Sequence, residues 1–304
     1  MTDDEERLLV VTLSNIGDVV MTTPVLEALA AAFPGQAIDV VGDQRSSDVL
    51  RGAPWLGEVF HRDKRGGITA QFELLRRLRR RRYAVAVDLR TPLIPYLLRA
   101  RRRYARHGRR GHGRHAVEEH FAVVASLLGA KPVPACRLHV DPTAAGAAGK
   151  ALAMLPATAR WLALAPGANW PGKCWPAAAY RALAERVGER FDGFVVLGSA
   201  ADREAAAMLK ALSRPCVDLT GQTDLATAAA ILARAAAFVG NDSGLGHMAA
   251  ALAVPTVTVF GPGEPERYRP WGRRTALALA PARDLARLPA ATVAAVLLEL
   301  LDGD

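Results

Sequence analysis

The amino-acid sequence predicts an α/β protein of two domains, each built around a parallel β-sheet. The chain has 304 residues, which exceeds the usual size of a single domain. Short apolar runs rich in β-branched residues alternate with helical patterns, as expected of βαβ units. A segment rich in proline, glycine and alanine, residues 132–156, separates two such series. We therefore predict an N-terminal domain over residues 1–150 and a C-terminal domain over residues 151–304.

In the N-terminal half, strands are predicted where apolar residues are consecutive, and helices where apolar residues recur every three or four positions. The predicted strands cover residues 7–13, 37–41, 59–60 and 83–89. The predicted helices cover residues 18–32, 46–50, 72–82 and 117–128.

The C-terminal half shows the same alternation. Its predicted strands cover residues 161–165, 193–197, 217–219, 237–239 and 256–260. Its predicted helices cover residues 177–190, 202–212, 225–235, 245–252 and 291–301. Each half opens with a strand that runs into a glycine-containing loop, which is where open parallel sheets bind ligands.

The composition is typical of a folded soluble protein, with 51% hydrophobic and 23% charged residues. No apolar run has the roughly 18 residues that span a bilayer, and the acidic N-terminus does not resemble an export signal. The three cysteines, Cys136, Cys174 and Cys216, form no CxxC pair. We therefore expect a cytoplasmic protein with neither a disulfide framework nor a metal site.

The positive charge is concentrated in one stretch. The net charge is +9, and the segment from Arg76 to His115 contains fifteen arginines and a single acid, Asp88. Such a surface suggests a phosphate-rich partner: nucleic acid, an anionic membrane face or a phosphorylated glycan. The stretch contains no recognised nucleic-acid-binding module, so we expect no nucleic-acid partner. Solvated helix faces explain many of these arginines, particularly residues 76–82.

The first candidate motif is Ser14-Asn15-Ile16-Gly17-Asp18, between the first strand and the first helix. Gly17 permits close backbone approach to a ligand. Asp18 is either the N-cap of the helix or a general base. After the third predicted strand come Arg62, Lys64 and Arg65, which are placed to reach a ligand at the same sheet edge.

Two further loops belong to the C-terminal half. Residues 166–176 form a glycine- and proline-rich loop whose strong cation, Lys173, either meets a phosphate or is simply solvated. Residues 240–247, Gly-Asn-Asp-Ser-Gly-Leu-Gly-His, follow a strand and open a helix. Their small side chains leave the helix N-terminus open to an anion, although Asn, Asp and Ser also make an ordinary helix cap.

Three segments then carry a family resemblance: RLLVVTLSNIGDVVMTTPVLEALAAAFP at the start, APGANWPGKCWP in the middle, and FVGNDSGLGHMAAALAVPTVTVFGP near the end. In order and spacing they resemble glycosyltransferase family 9, the ADP-heptose:lipopolysaccharide heptosyltransferases. The resemblance implies a GT-B fold, with two Rossmann-like domains facing across a cleft. The first domain would bind the acceptor and the second the nucleotide sugar, and the last helix, about residues 290–302, would pack back on the N-terminal domain.

The resemblance also implies roles for particular residues. Asp18 matches the general base of an inverting, metal-independent transfer, Lys173 the lysine that meets the donor diphosphate, and Asp242 an aspartate that bonds the heptose. The donor-binding candidates are Lys173, Asn169, Asn241, Asp242, Ser243, Gly244 and His247. The acceptor-binding candidates are Gly17, Arg62, Lys64 and Arg65.

The function implied is heptose transfer from ADP-heptose to a phosphorylated lipopolysaccharide inner-core acceptor, without cofactor or metal. A glycolipid acceptor implies peripheral contact with the anionic face of the inner membrane. Two alternatives stay open. One is a family 9 enzyme that uses another sugar nucleotide or another acceptor, and the other is a non-catalytic protein that binds a nucleotide sugar or a polyanion.

Overall fold

The computed structural model describes residues 6–63, 65–106, 115–129, 132–210 and 212–303. The chain divides into two compact units, Met1–His139 and Val140–Asp304. This division comes before the predicted domain boundary at residue 150, because helix α6, Pro142–Ala151, packs on a helix of the second unit. Lys64 and residues 107–114 of the arginine-rich stretch lie outside the described residues.

The described part of the first unit contains a five-stranded parallel sheet in the order β3-β2-β1-β4-β5. The strands are β1 Arg7–Val11, β2 Ile38–Gly42, β3 Leu56–His61, β4 Tyr83–Asp88 and β5 Ala100–Ala105. The helices are α1 Ile16–Val20, α2 Thr23–Ala32, α3 Gly67–Leu78, α4 Ala116–Ala122 and α5 Ala125–Leu128. Leu9, Val11, Val41 and Phe60 lie in its buried core together with Leu78 of α3.

The described part of the second unit has a six-stranded parallel sheet in the order β11-β10-β9-β6-β7-β8. Its strands are β6 Trp161–Ala165, β7 Gly193–Val196, β8 Cys216–Asp218, β9 Ala237–Asn241, β10 Thr256–Phe260 and β11 Thr275–Leu279. Besides α6, its helices are α7 Ala177–Val187, α8 Arg203–Ala207, α9 Leu225–Leu232, α10 Gly244–Ala251, α11 Pro265–Tyr268 and α12 Ala290–Asp302. Both sheets are therefore doubly wound in the Rossmann manner, which confirms the predicted α/β class.

The last helix, α12, contributes Val293, Ala294 and Leu297 to the core of the second unit. It packs on α7, on the edge strand β11 and on its neighbour β10. The expected packing of this helix on the first domain stays a prediction. None of the described helices has the length and apolar character that crossing a bilayer requires.

The single helix predicted over residues 18–32 is wrong, because the chain forms α1 and α2 with a break between them. Pro24 has no N–H to donate to the carbonyl of Val20, four residues earlier. The hydroxyl of Thr23 donates to that carbonyl instead, at 2.7 Å. The break therefore leaves Asp18 on a helix of little more than one turn.

The sequence suggested that the arginines of residues 76–82 lie on solvated helix faces. Two of them instead pair with carboxylates of the sheet. Arg77 donates to Glu58, and Arg81 donates to both Asp39 and Glu58. Both guanidinium groups also lie over the ring of Phe60, at 5.1 and 5.3 Å from its centroid. These contacts fix the C-terminal end of α3 to strands β2 and β3.

Asp39 is fully buried and joins several elements of the first unit. Its carboxylate accepts from Arg7 Nη1 at 2.8 Å, from Arg81 Nη1 at 2.5 Å and from the backbone N–H of Glu58 at 2.9 Å. A buried carboxylate is tolerated only when charged or N–H donors surround it in this way. Asp39 thus connects β1, β2, β3 and the end of α3.

We predict that Asp39→Ala lowers the free energy of unfolding by about 3 kcal/mol or more, because it leaves two guanidinium groups without their buried partner. The measurement is urea-induced unfolding of the full chain. Asp302→Ala is the matched control, because it removes an exposed carboxylate that pairs with Arg190, and such pairs contribute little. Equal unfolding curves for the two variants would contradict the role given to Asp39.

Candidate active site

Three of the candidate residues, Asp18, Lys173 and Asp242, follow strands at which the strand order of their sheet reverses. In the first unit this place is between β1 and β4, and in the second it is between β6 and β9. Loops that leave the carboxyl ends of these neighbouring strands diverge and leave a crevice, which is the usual ligand site of such sheets. Asp18 follows β1, while Lys173 and Asp242 follow β6 and β9.

Asp18 is the third residue of α1, so the alternative that it is the N-cap is wrong. Asn15 occupies the N-cap position, but its side chain does not cap the backbone. The Asn15 Nδ2 instead donates to Asp18 Oδ2 at 2.9 Å. The carboxylate is half-buried and is held by this bond. Gly17 lies within the same helical turn, where its carbonyl accepts from Met21.

Basic residues also follow the carboxyl ends of strands in the first sheet. Arg90, just after β4, donates through Nη1 to Ser14 Oγ at 2.5 Å, and Ser14 belongs to the loop that carries Asp18. Burial, followed by the neighbouring Arg90 guanidinium, lowers the pKa of Arg62, while Asp88 opposes this shift. The Arg62 Nη1 is buried without a hydrogen-bond partner in the described part of the chain.

Two neighbouring guanidinium groups repel each other, and an anion that accepts hydrogen bonds from both would stabilise them. Arg62 and Arg90 are therefore candidates to hold an anion, and Arg90 also contacts the loop that carries Asp18. Sequence reasoning missed Arg90, although its position directly after the fourth strand was a usable signal. Arg65 is exposed and its backbone N–H donates to Asp63.

In the second unit, Lys173 and Asp242 form an ion pair, with Lys173 Nζ 2.5 Å from Asp242 Oδ2. Lys173 ends a short 3₁₀ helix, Pro171–Lys173, in the loop after β6. The Asp242 side chain is mostly buried and that of Lys173 is one-third exposed. The pair explains how a carboxylate is tolerated at a site suited to an anion, because the ammonium group balances its charge.

A glycine leaves room for the Asp242 carboxylate, because it has no Cβ atom. A Cβ atom on Gly263 would lie 2.9 Å from Asp242 Oδ2. Any larger residue at position 263 would therefore displace the carboxylate or its lysine partner. The sequence analysis did not identify Gly263, since nothing in its local pattern reveals which side chain approaches it.

Asn241 connects the loops of this site. It is fully buried at the end of β9, and its Oδ1 accepts from the backbone N–H of Trp175 at 2.9 Å. Its Nδ2 donates to the carbonyls of Pro166 and Gly167, at 2.7 and 3.4 Å. Both ends of the carboxamide are therefore occupied by the loop that carries Lys173. Asn241 positions that loop, while Asn169 is exposed within it.

The N-terminus of α10 adjoins this pair in sequence. Ser243 is the N-cap residue, yet its side chain makes no capping bond. The Ser243 Oγ is buried without a partner among the described residues. The helix begins at Gly244, and its first backbone N–H groups have no acceptor within the helix, which is the arrangement by which helix N-termini bind anions. His247 is buried in the same helix.

The cysteines take no part in these clusters as ionised groups. All three are free thiols, and burial raises the pKa of Cys136 to about 12 and that of Cys216 to about 11. Among the described residues, no group of three or more His, Cys, Asp or Glu side chains is arranged to hold a metal ion.

Comparison with known proteins identifies the family of the chain. Residues 72–289 match the family described as glycosyltransferase family 9 (heptosyltransferase). The chain is 32% identical to lipopolysaccharide heptosyltransferase 1 of Pseudomonas aeruginosa over an alignment 304 positions long. The alignment covers 88% of this chain and 82% of that protein.

Solved structures give the same result. The E. coli ADP-heptose lipopolysaccharide heptosyltransferase II superimposes with a TM-score of 0.82 at 25% identity, covering 97% of this chain and 98% of that one. A glycosyltransferase family 9 protein from Veillonella parvula gives a TM-score of 0.86 at 21% identity, covering 100% and 99%. The two doubly wound sheets are thus those of a GT-B glycosyltransferase. The chain belongs to glycosyltransferase family 9, the heptosyltransferase family.

We predict that Asn241→Ala destabilises the second unit by about 2–5 kcal/mol, because the Trp175 N–H and the Pro166 carbonyl lose their buried partner. The measurements are denaturant unfolding and calorimetric titration with ADP, whose affinity should fall as the loops separate. Asn169→Ala is the control for stability, since it truncates an exposed asparagine of the same loop. Unchanged stability and ADP affinity in Asn241→Ala would show that the carboxamide does not hold the loops.

Proposed function

We propose that the protein transfers a heptose from ADP-heptose to a phosphorylated inner-core acceptor of lipopolysaccharide. The observation that carries this proposal is the Lys173–Asp242 ion pair at the strand-order reversal of the second sheet, next in sequence to the open N-terminus of α10. Membership of the heptosyltransferase family and the names of its relatives support the choice of donor and acceptor.

The second unit would hold the donor. The diphosphate would meet the Lys173 ammonium group, the Ser243 hydroxyl and the first backbone N–H groups of α10, beginning with Gly244. Asp242 would accept hydrogen bonds from heptose hydroxyls while it remains paired with Lys173. Asn241 would act by positioning, and Asn169 and His247 would line the donor.

Asp18 would act as the general base in a single inverting displacement. Its carboxylate takes the proton from the acceptor hydroxyl while that oxygen forms a bond to the anomeric carbon. The bond from this carbon to the diphosphate oxygen breaks, and ADP leaves with the electron pair. Because Lys173 and the helix N-terminus balance the charge of the leaving group, this scheme uses no metal ion and no cofactor.

The first unit would bind the acceptor. Arg62 and Arg90 would receive its phosphate groups beside Asp18, with Lys64, Arg65 and the backbone of Gly17 completing the surface. A phosphorylated glycolipid acceptor would place the enzyme in peripheral contact with the cytoplasmic, anionic face of the inner membrane. Nucleic acid is not part of this proposal.

We expect Asp18→Asn to lower kcat by about 10²- to 10⁴-fold, the usual contribution of a positioned general base. Heptose transfer is measured as ADP released from ADP-heptose in the presence of a Kdo-lipid A acceptor. ADP affinity, measured by calorimetry, should stay unchanged, because Asp18 belongs to the first unit. A near-normal kcat in this variant would reject Asp18 as the base.

Lys173→Met and Asp242→Asn should separate the two halves of the ion pair. Lys173→Met removes the cation and leaves Asp242 unpaired beside the diphosphate, so ADP affinity should fall by about tenfold or more. Asp242→Asn removes a negative charge, so ADP should bind at least as well, while KM for ADP-heptose rises because a sugar contact is lost.

A panel of sugar nucleotides completes the test of the donor. Release of nucleoside diphosphate from ADP-heptose in preference to ADP-glucose and UDP-glucose supports the proposal. Preference for another donor, or donor binding without turnover on any acceptor, would contradict it. Equal ADP affinity in wild type and Lys173→Met would reject the role of this lysine.

A further inference from the structure

The first unit carries an apolar stripe on α3 that its own core does not use. Ile68 and Phe72 are 69% and 65% exposed, and residues four positions apart lie on the same face of a helix. Leu78 is buried in the core beneath α3, and Leu74 and Leu75 pack against that core as partly buried residues. Large apolar side chains that lie together on an exposed surface mark an interaction site, whereas single exposed apolar residues are ordinary.

Arginines continue this stripe toward the C-terminal end of the helix. Phe72, Leu75, Arg76, Arg79 and Arg80 line a shallow surface cavity of about 370 Å³. All three lining arginines are exposed, whereas Arg77 and Arg81 turn toward the sheet and pair with Glu58 and Asp39. The helix is thus anchored through one set of arginines and presents the other set outward.

A second exposed apolar segment packs on the same core. Ile94 contacts the core cluster that also receives Leu74 and Leu75 of α3. The residues around it point outward: Leu93 is 66% exposed, Tyr96 is 54% exposed and Leu97 is 51% exposed. Two segments of the first unit that pack against the same core cluster therefore also expose apolar side chains to solvent.

We propose that this α3 surface, Ile68, Phe72, Leu75, Arg76, Arg79 and Arg80, docks on an anionic lipid bilayer. The apolar side chains would enter the boundary between headgroups and acyl chains, and the arginines would meet lipid phosphates. Arginine suits this position because its aliphatic stem packs along apolar surface while its guanidinium group stays with the headgroups.

The chemistry of the surface favours a bilayer over other partners. A second copy of the chain docked through the same surface would bring arginines against arginines, because a two-fold interface pairs each patch with itself. Nucleic acid would satisfy the arginines but offers no apolar complement to Ile68 and Phe72. The inference names the surface for the membrane contact suggested under the proposed function, and it does not depend on which sugar is transferred or which glycan accepts it.

The test is co-sedimentation of the full chain with vesicles that contain no lipopolysaccharide. We expect binding to vesicles of phosphatidylcholine with about one-third phosphatidylglycerol, weakened at high salt, and little binding to phosphatidylcholine alone. Arg76→Gln with Arg79→Gln should weaken binding about thirtyfold, since each surface arginine contributes about 1 kcal/mol. Ile68→Ser with Phe72→Ser should weaken it about tenfold or more.

Matched controls are available in the second unit. Arg186→Gln with Arg214→Gln makes the same charge change at two exposed arginines, and Met154→Ser removes a side chain that is 83% exposed. Both should bind vesicles as wild type does. Thermal unfolding of each variant shows that it is folded, and transfer to a deacylated, water-soluble acceptor should be unchanged in the α3 variants.

The proposal is overturned if wild type ignores anionic vesicles, or if α3 variants and controls weaken binding equally. It is also overturned if sedimentation shows a dimer that the Ile68→Ser/Phe72→Ser variant dissociates. Because these vesicles carry no acceptor, failure here leaves the proposed reaction standing, and loss of transfer activity in Asp18→Asn leaves vesicle binding untouched.

Discussion

The candidate site of the second unit depends on the buried carboxamide of Asn241. A carboxamide offers both a donor and an acceptor, and here it bonds a backbone N–H and two backbone carbonyls of one loop. No purely apolar side chain could satisfy these groups, and leaving them unpaired in the interior is costly. The bonds fix the loop after β6 against the end of β9, which is why Lys173 reaches Asp242.

The Lys173–Asp242 pair gives the site a balanced charge before any ligand arrives. A lone lysine would hold a diphosphate strongly but would not distinguish a sugar from water, whereas an aspartate alone would repel the diphosphate. Under the proposed function they would provide a cation for the leaving group and an acceptor for hydroxyl groups within one short distance. The ion pair joins two residues that the sequence placed in separate motifs.

Much of the fold and of the candidate site could be predicted from the sequence, because parallel sheets are regular. Apolar runs predicted β6 and β10 at their observed bounds. Because the strands are parallel, the loops after β1, β6 and β9 had to lie at the carboxyl ends of the strands of their own sheet. The edge strands β5 and β11 were missed, since Arg101, Arg102 and Arg103 disguise the first and the second is a short segment with little pattern. Edge strands need only one partner, and charged residues protect them from pairing with other chains.

Tertiary contacts account for what sequence could not reveal. Nothing local distinguishes Arg81, which pairs with buried Asp39, from Arg80, which faces outward. The approach of Gly263 to Asp242 likewise depends on how two loops meet. The break before α2 was readable in principle from Pro24, but the helical period across it concealed the missing hydrogen bond.

Asn15 occupies the N-cap position of α1 without stabilising the helix in the usual way. A side chain at this position normally stabilises its helix by about 1 kcal/mol through a bond to the backbone, yet Asn15 gives its amide to Asp18 instead. The turn that carries Asp18 is therefore less stable than its sequence would allow. Selection for stability alone would favour a residue that caps the helix, so under the role proposed for Asp18 folding and chemistry make opposing demands on this side chain.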